Sequence, residues 1–269
     1  MTARRNLLPV AVVCAVLLAG TSGVAVAPSP SPGRAILEGR EMMSEELTYT
    51  VKWKLVTAGS ATLRLVPLRD RALPPGFRIE SYARSNEFID AFFKVRDRVT
   101  SLAGLDFTRS FYFSKSQQEG TFTREEAIEF EAGEKVALLY RNDALRNTLP
   151  LPDEYCDPLS GLYRFRLLAS RPGGERVNMS TTDGRRIMTV RTEERGREAI
   201  TVPAGTFPCV KTEIFMDSLE GIFMRKKHGR IFIWLTDDDS RLPVKMATEV
   251  MIGAVETSLV KAEYRPVSP

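Results

Sequence analysis

The segment FIWLTDDDSRLPVKM, residues 232–246, sets Asp237, Asp238 and Asp239 between two apolar, strand-like runs. Three adjacent carboxylates could bind a divalent cation or do acid–base chemistry. Calcium, however, takes roughly six to eight oxygens, commonly from a D-x-D-x-D spacing, and consecutive residues of a strand point to opposite faces. Asp and Ser side chains accept from nearby backbone N–H groups and so favour turns. Pro243 suits a strand start, where its missing donor does least harm. The spacing predicts a hairpin turn from Thr236 to Leu242, and no metal or other cofactor is expected.

Other routes to catalysis are weaker. His228 is the single histidine and sits in the basic run Arg225-Lys226-Lys227-His228-Gly229-Arg230, so any Ser-His or Cys-His pair must use it. Ser258 and Lys261 match S-x-x-K, but a separation of three on a strand puts them on opposite faces. There is no G-x-S-x-G, no phosphate-binding glycine loop and no zinc-ligand spacing. Paired carboxylates could serve a glycosidase. The densest set, Glu125, Glu126, Glu129 and Glu131, reads as a strand on which Glu125, Glu129 and Glu131 face solvent, opposite Glu126, Ile128 and Phe130. The chain is expected not to be an enzyme.

Residues 1–27 have a positive start (Arg4, Arg5), an apolar run from Leu7 to Leu18 and small residues ending in Ala25-Val26-Ala27. This is the pattern of a secretory signal peptide. Its apolar run is too short for a stable anchor. Export to the periplasm or the exterior is expected. Residues 28–40, opening PSPSPG, read as a linker, and residues 41–266 as a single β-rich domain. Loss of Arg4 and Arg5 takes the net charge from +4 to +2, too little to imply nucleic acid. The basic run is more readily a solvated turn, though it could meet phosphate or anionic lipid. In an oxidising compartment, Cys156 and Cys209 invite a disulfide, the alternative being two buried thiols.

Strand signals dominate the elements that must position these groups. In LTYTVKWKL, Leu47, Tyr49, Val51, Trp53 and Leu55 alternate with Thr48, Thr50, Lys52 and Lys54. One wet and one buried face are predicted, with a turn at Thr57-Ala58-Gly59 and the pattern resuming through Ala61, Leu63 and Leu65. Further strands are predicted over 77–83, 95–101, 106–116, 120–131, 135–141, 176–181, 186–192, 198–202, 209–216, 221–226, 230–235, 244–251 and 254–264. Residues 86–93 suit a short helix. The main helix is predicted over 157–170, with Asp157 as N-cap, Pro158 at the first position and a stop at Arg171-Pro172-Gly173-Gly174. The fold class is mainly β: a long antiparallel meander forming a curved sheet or half-open barrel with one main helix.

The hairpin LTYTVKWKLVTAGSATLRL, the helix DPLSGLYRFR, the segment VPAGTFPCVKTEIF and IFIWLTDDDSRLPVKM followed by IGAVETSL occur in this order. Together they resemble a bacterial exported family known as domain of unknown function 3108, over about residues 45–264. The resemblance implies a mainly β envelope protein and transfers no catalytic residues.

A curved sheet can hold an acyl chain or apolar peptide in its concavity. Tyr49, Trp53, Phe111, Phe113, Phe130 and Trp234 are the aromatics expected to line it. The leading expectation is therefore an exported module binding a hydrophobic ligand or envelope component, with peripheral membrane contact conceivable. The alternatives are an interaction module with a filled core and a carboxylate-dependent hydrolase. Neither a protein partner nor an oligomeric state follows from the sequence.

Overall fold

The computed structural model describes residues 43–69, 72–169, 176–216, 230–250 and 253–267. The expected signal peptide and linker, the strand expected over 221–226, and the basic run apart from Arg230 lie outside them.

The first eight strands are β1 (Met43–Trp53), β2 (Val56–Pro67), β3 (Gly76–Ser85), β4 (Arg96–Gly104), β5 (Ser110–Glu119), β6 (Phe122–Glu131), β7 (Val136–Arg141) and β8 (Ala144–Pro150). The rest are β9 (Asn178–Thr182), β10 (Ile187–Val202), β11 (Gly205–Met216), β12 (Ile231–Thr236), β13 (Pro243–Val250) and β14 (Gly253–Pro266). They form one sheet in the order β8-β7-β6-β5-β4-β3-β2-β1-β14-β13-β12-β11-β10-β9. Each named pair is antiparallel, and first strand meets last where β1 pairs with β14. Helix α1 (Glu87–Asp90) links β3 to β4, and helix α2 (Pro158–Ala169) lies between β8 and β9.

The sheet is not closed. Its edge strands β8 and β9 are nevertheless drawn together by side chains. Asn147 on β8 donates to the Gly184 carbonyl in the β9–β10 turn (2.9 Å), and Arg185 donates to Glu126 (2.6 Å). The half-open barrel is thus the observed architecture.

Helix α2 starts where its cap dictates. Asp157 Oδ1 accepts from the backbone N–H groups of Leu159 (2.8 Å) and Ser160 (3.0 Å), satisfying donors that have no partner inside the helix. Its Oδ2 accepts from the hydroxyls of Ser101, Ser110 and Ser160, tying the helix start to β4 and β5. The expected apolar stripe is wider than a stripe. Leu159, Ser160, Gly161, Tyr163, Phe165, Arg166, Leu167 and Ala169 are all buried, because the helix sits within the curve of the sheet. Tyr163 and Leu167 join a core with Leu47, Tyr49, Phe77, Ile79 and Phe107. Phe165 and Ala169 join Ile233, Leu235 and Met246.

Three expectations about the elements change. The first hairpin turns at Lys54 and Leu55, not at Thr57-Ala58-Gly59, since Trp53 pairs with Val56. The β1–β2 register also shifts between Val51 and Lys52, with Ala58 the extra residue on β2, and at this end of the hairpin Lys52 is buried and Trp53 exposed. Trp53 is the last residue of β1, beside the turn, so lying on the same face as Tyr49 does not bury it. Strand β8 was not foreseen, although Asn142 and Asp143, at φ 48° and 61°, are suitable residues for a two-residue hairpin turn.

The aspartates 237–239 lie in the β12–β13 turn, as expected. Asp238 Oδ1 accepts from the Thr236 and Ser240 hydroxyls and from the N–H groups of Ser240 and Arg241. Asp237 pairs with Arg197. Glu125, Glu129 and Glu131 are exposed, while Glu126, Ile128 and Phe130 are buried.

Cys156 and Cys209 form no disulfide, correcting that expectation: both are free and buried. Cys156 lies 3.2 Å from the Ser180 carbonyl, just before α2, whereas Cys209 pairs across β11 with Glu198 and Thr236. Burial pushes each thiol up to about 12, which keeps both protonated and unreactive.

Candidate functional site

The six aromatics expected to line a concave site do not converge. Tyr49, Phe113 and Phe130 are packed into the core. The Tyr49 hydroxyl donates to the Pro243 carbonyl (2.9 Å), and Phe130 stacks on Tyr155 with ring centroids 5.4 Å apart. Phe111 is half-buried near Gly104. Trp53 is exposed at the end of β1. Trp234 is also buried in that core cluster, but it alternates with Ile233 and Leu235, which pack with α2, and so lies on the other face of its strand. There its indole donates to Glu198 (2.7 Å) between the ammoniums of Lys211 and Lys245, each 5.0 Å from the ring.

What fills the concavity instead is the helix and a buried ion pair. Arg166 on α2 is 0% exposed and meets Glu45 on β1 through two hydrogen bonds of 2.6 and 2.8 Å. It also donates to the Arg241 carbonyl (3.1 Å), and the Tyr163 hydroxyl donates to Glu45 (3.3 Å). A buried charge pair persists only with such complete bonding. Glu45 holds the Arg166 guanidinium charged, its pKa raised despite burial, and burial together with that carboxylate pushes the Tyr163 phenol up.

Toward the other end, the inner face of the sheet becomes polar. Along β5 it reads Phe113, Lys115, Gln117, Glu119. Lys115 pairs with Val99 on β4 and Glu126 on β6. Glu119 is 5% and Gln117 1% exposed; the Gln117 amide donates to Glu119 (3.1 Å). Glu119 and Asp97 interact through their side chains. Burial, then the Asp97 charge, raises Glu119 to about 7, and burial raises Asp97. Burial and the mutual repulsion of two neighbouring carboxylates disfavour ionising both. Burial lowers the Lys115 ammonium. Glu126 is held below its ordinary range, against the cost of burial, by Arg185 and Arg141.

Sequence reasoning missed the Asp97–Glu119 pair because the residues lie on different strands. Inward alternation from Val99 to Asp97 and from Phe113 to Glu119 was the available signal. The pair is the arrangement of an acid–base dyad. Yet it sits behind the β5–β6 turn, where Phe93 packs so closely on Gly120 that a Cβ there would fall 3.0 Å from the ring.

The antiparallel order places the β1–β2, β3–β4 and β5–β6 connections together at this rim. Leu55 (88%), Phe92 (77%) and Phe88 (64%) are the most exposed large apolar side chains there, joined by Trp53, Val56 and Phe93. Asn86 organises the rim. Its side chain accepts from Ile89 N–H (3.0 Å), starting α1, and donates to the Thr57 carbonyl (2.8 Å), while its own N–H donates to the Ala58 carbonyl (2.9 Å). Asp90, bonded to Ser85 and in an ion pair with Arg96 (2.6 Å), is held down to about 2 by that arginine.

The fold and interior define a barrel-like antiparallel β-sheet wrapped on one helix. The chain belongs to the family described as protein of unknown function DUF3108, which matches residues 48–260. The β-barrel-like DUF1849 protein of Brucella abortus is similar in fold, with a TM-score of 0.54 at 11% identity over 84% of this chain and 99% of that one. A presumed lipoprotein from Parabacteroides distasonis aligns at a TM-score of 0.31 and 11% identity, over 82% of this chain and 95% of that one. No curated protein matches the chain. No described helix is long and apolar enough to cross a membrane.

Proposed function

We propose that the protein is a non-catalytic, exported envelope module that works through its outer rim rather than through its concave face. One observation carries this reading. Six large apolar side chains are exposed at one rim of a body whose concave side is occupied by its own helix. Exposed apolar side chains in isolation are ordinary, but a cluster rimmed by polar groups marks an interaction surface. The inner aromatics expected to hold an acyl chain are in contact with other core side chains, and the sheet interior nearest the rim is charged, a poor match for an apolar ligand. The amino-terminal signal pattern supports export.

Native mass spectrometry of the protein purified from cells, followed by organic extraction, tests the reading. The expected result is the mass of the chain with no stoichiometric apolar molecule. A stoichiometric extracted lipid would overturn it in favour of a carrier.

A further inference from the structure

We propose that the rim docks on the surface of an anionic lipid bilayer. This inference rests on the rim being the working surface, and adds the partner. The first argument is the type and placement of the side chains. Phe88 and Phe92 are four residues apart, their rings in edge contact with centroids 5.7 Å apart, so they project together. Across the Asn86 bonds stand Trp53, Leu55 and Val56 on the β1–β2 turn. Aromatic rings flanked by lysines are suited to a membrane–water interface, where the ring enters the acyl boundary and the ammonium reaches the headgroups.

The second argument is charge. Lys54, Arg84 and Lys94 are exposed around the apolar side chains, and Lys54 lies 5.3 Å over the Trp53 ring. Among the described residues of the β1–β2 turn and the 84–94 segment, Glu87 is the one exposed acid; Asp90 is engaged by Arg96. The surface is net positive and complements anionic headgroups. The same charges would repel across a rim-to-rim contact between two copies of the chain. The third argument is shape. Leu55, Phe88 and Phe92 protrude from tight connections. A fluid layer accepts such protrusions without a matching pocket, and Asn86 and the Lys54 N–H bond to the Ala254 carbonyl (2.9 Å) hold them in place beforehand, which lowers the ordering cost.

The test is co-sedimentation of the protein purified from cells with phosphatidylcholine vesicles, with and without phosphatidylglycerol. Binding to the phosphatidylglycerol vesicles is expected, weakening as salt rises. Phe88→Ser with Phe92→Ser should lower the partition coefficient by roughly tenfold or more. Lys54→Glu with Lys94→Glu should remove the preference for phosphatidylglycerol. Unchanged thermal melting would show that each variant is folded. No binding, or binding that neither pair of substitutions alters, overturns the proposal. If vesicle binding is absent but Phe88→Ser with Phe92→Ser still releases the protein from isolated envelopes, the partner is a protein: the bilayer inference fails and the rim reading stands. If those substitutions release it from neither, both fail.

Discussion

The two ends of the barrel interior both bury charge, and they do so in opposite ways. Beside α2, Arg166 meets Glu45 in a two-pronged pair, with Tyr163 and a backbone carbonyl completing the bonding. Near the rim, Asp97 and Glu119 are two neighbouring acids, and burial raises the pKa of both. Lys115 is close enough to interact with both acids, but burial lowers its own pKa. A matched buried pair gives specificity to one arrangement of helix on sheet. An unmatched one makes its region depend on pH. Stability and sensitivity are therefore located at different ends of the molecule.

Breaking the matched end should have the largest effect. Arg166→Met leaves Glu45 buried without its cation and should cost about 3–5 kcal/mol in urea denaturation. Glu45→Leu combined with Arg166→Met should recover most of that loss, because two apolar side chains of similar size leave no orphan charge. A double variant as unstable as the single one would show that the pair does more than neutralise itself.

The unmatched end gives the next effect, and its sign is opposite to that of an ordinary ion-paired carboxylate. Glu119 has a folded value of about 7, above its ordinary 4.5, so the folded protein binds the proton more tightly. The associated stability is complete below pH 4.5 and is lost as pH rises through about 7, a fall of about 3 kcal/mol, most of it between pH 5 and pH 8. Glu119→Gln keeps an uncharged amide in place and should flatten this slope. Urea denaturation at pH 5 and pH 8 measures it, and an equal slope in wild type and variant would assign the pH dependence elsewhere.

Smaller effects separate inside from outside. Phe88→Ser with Phe92→Ser should change folding stability by no more than about 0.5 kcal/mol, since both rings are exposed; a larger loss in thermal melting would make them part of the core. The smallest effect concerns the thiols. A reducing agent should leave the melting temperature unchanged, and alkylation should reach Cys156 and Cys209 only after denaturation. A two-hydrogen mass gain on reduction would restore the disulfide.

Much of the fold was legible in local pattern. The alternation in β1 and β6, the Asp157-Pro158 helix start and the DDD turn were all read from neighbours within a few residues, because caps, turns and strand faces are local physics. The intended ligand-lining aromatics were less legible. Tyr49 and Trp53 are four residues apart on one face of β1, but Tyr49 lies in the core and Trp53, the last residue of the strand, is exposed beside the turn. Trp234 is as apolar as its neighbours and is buried on the other face of its strand.

The sequence by itself determined most of the strands, the helix and its cap, the acidic turn and the family. Those depend on backbone geometry and on side chains that act close to their own position. The tertiary structure decided that Glu45 and Arg166, 121 positions apart, form one pair. It also decided that Asp97 and Glu119 lie together, that two cysteines stay apart, and that the exposed apolar side chains of two connections meet at one rim. These depend on how far the sheet curves and which strands lie side by side, and no short stretch of chain encodes either.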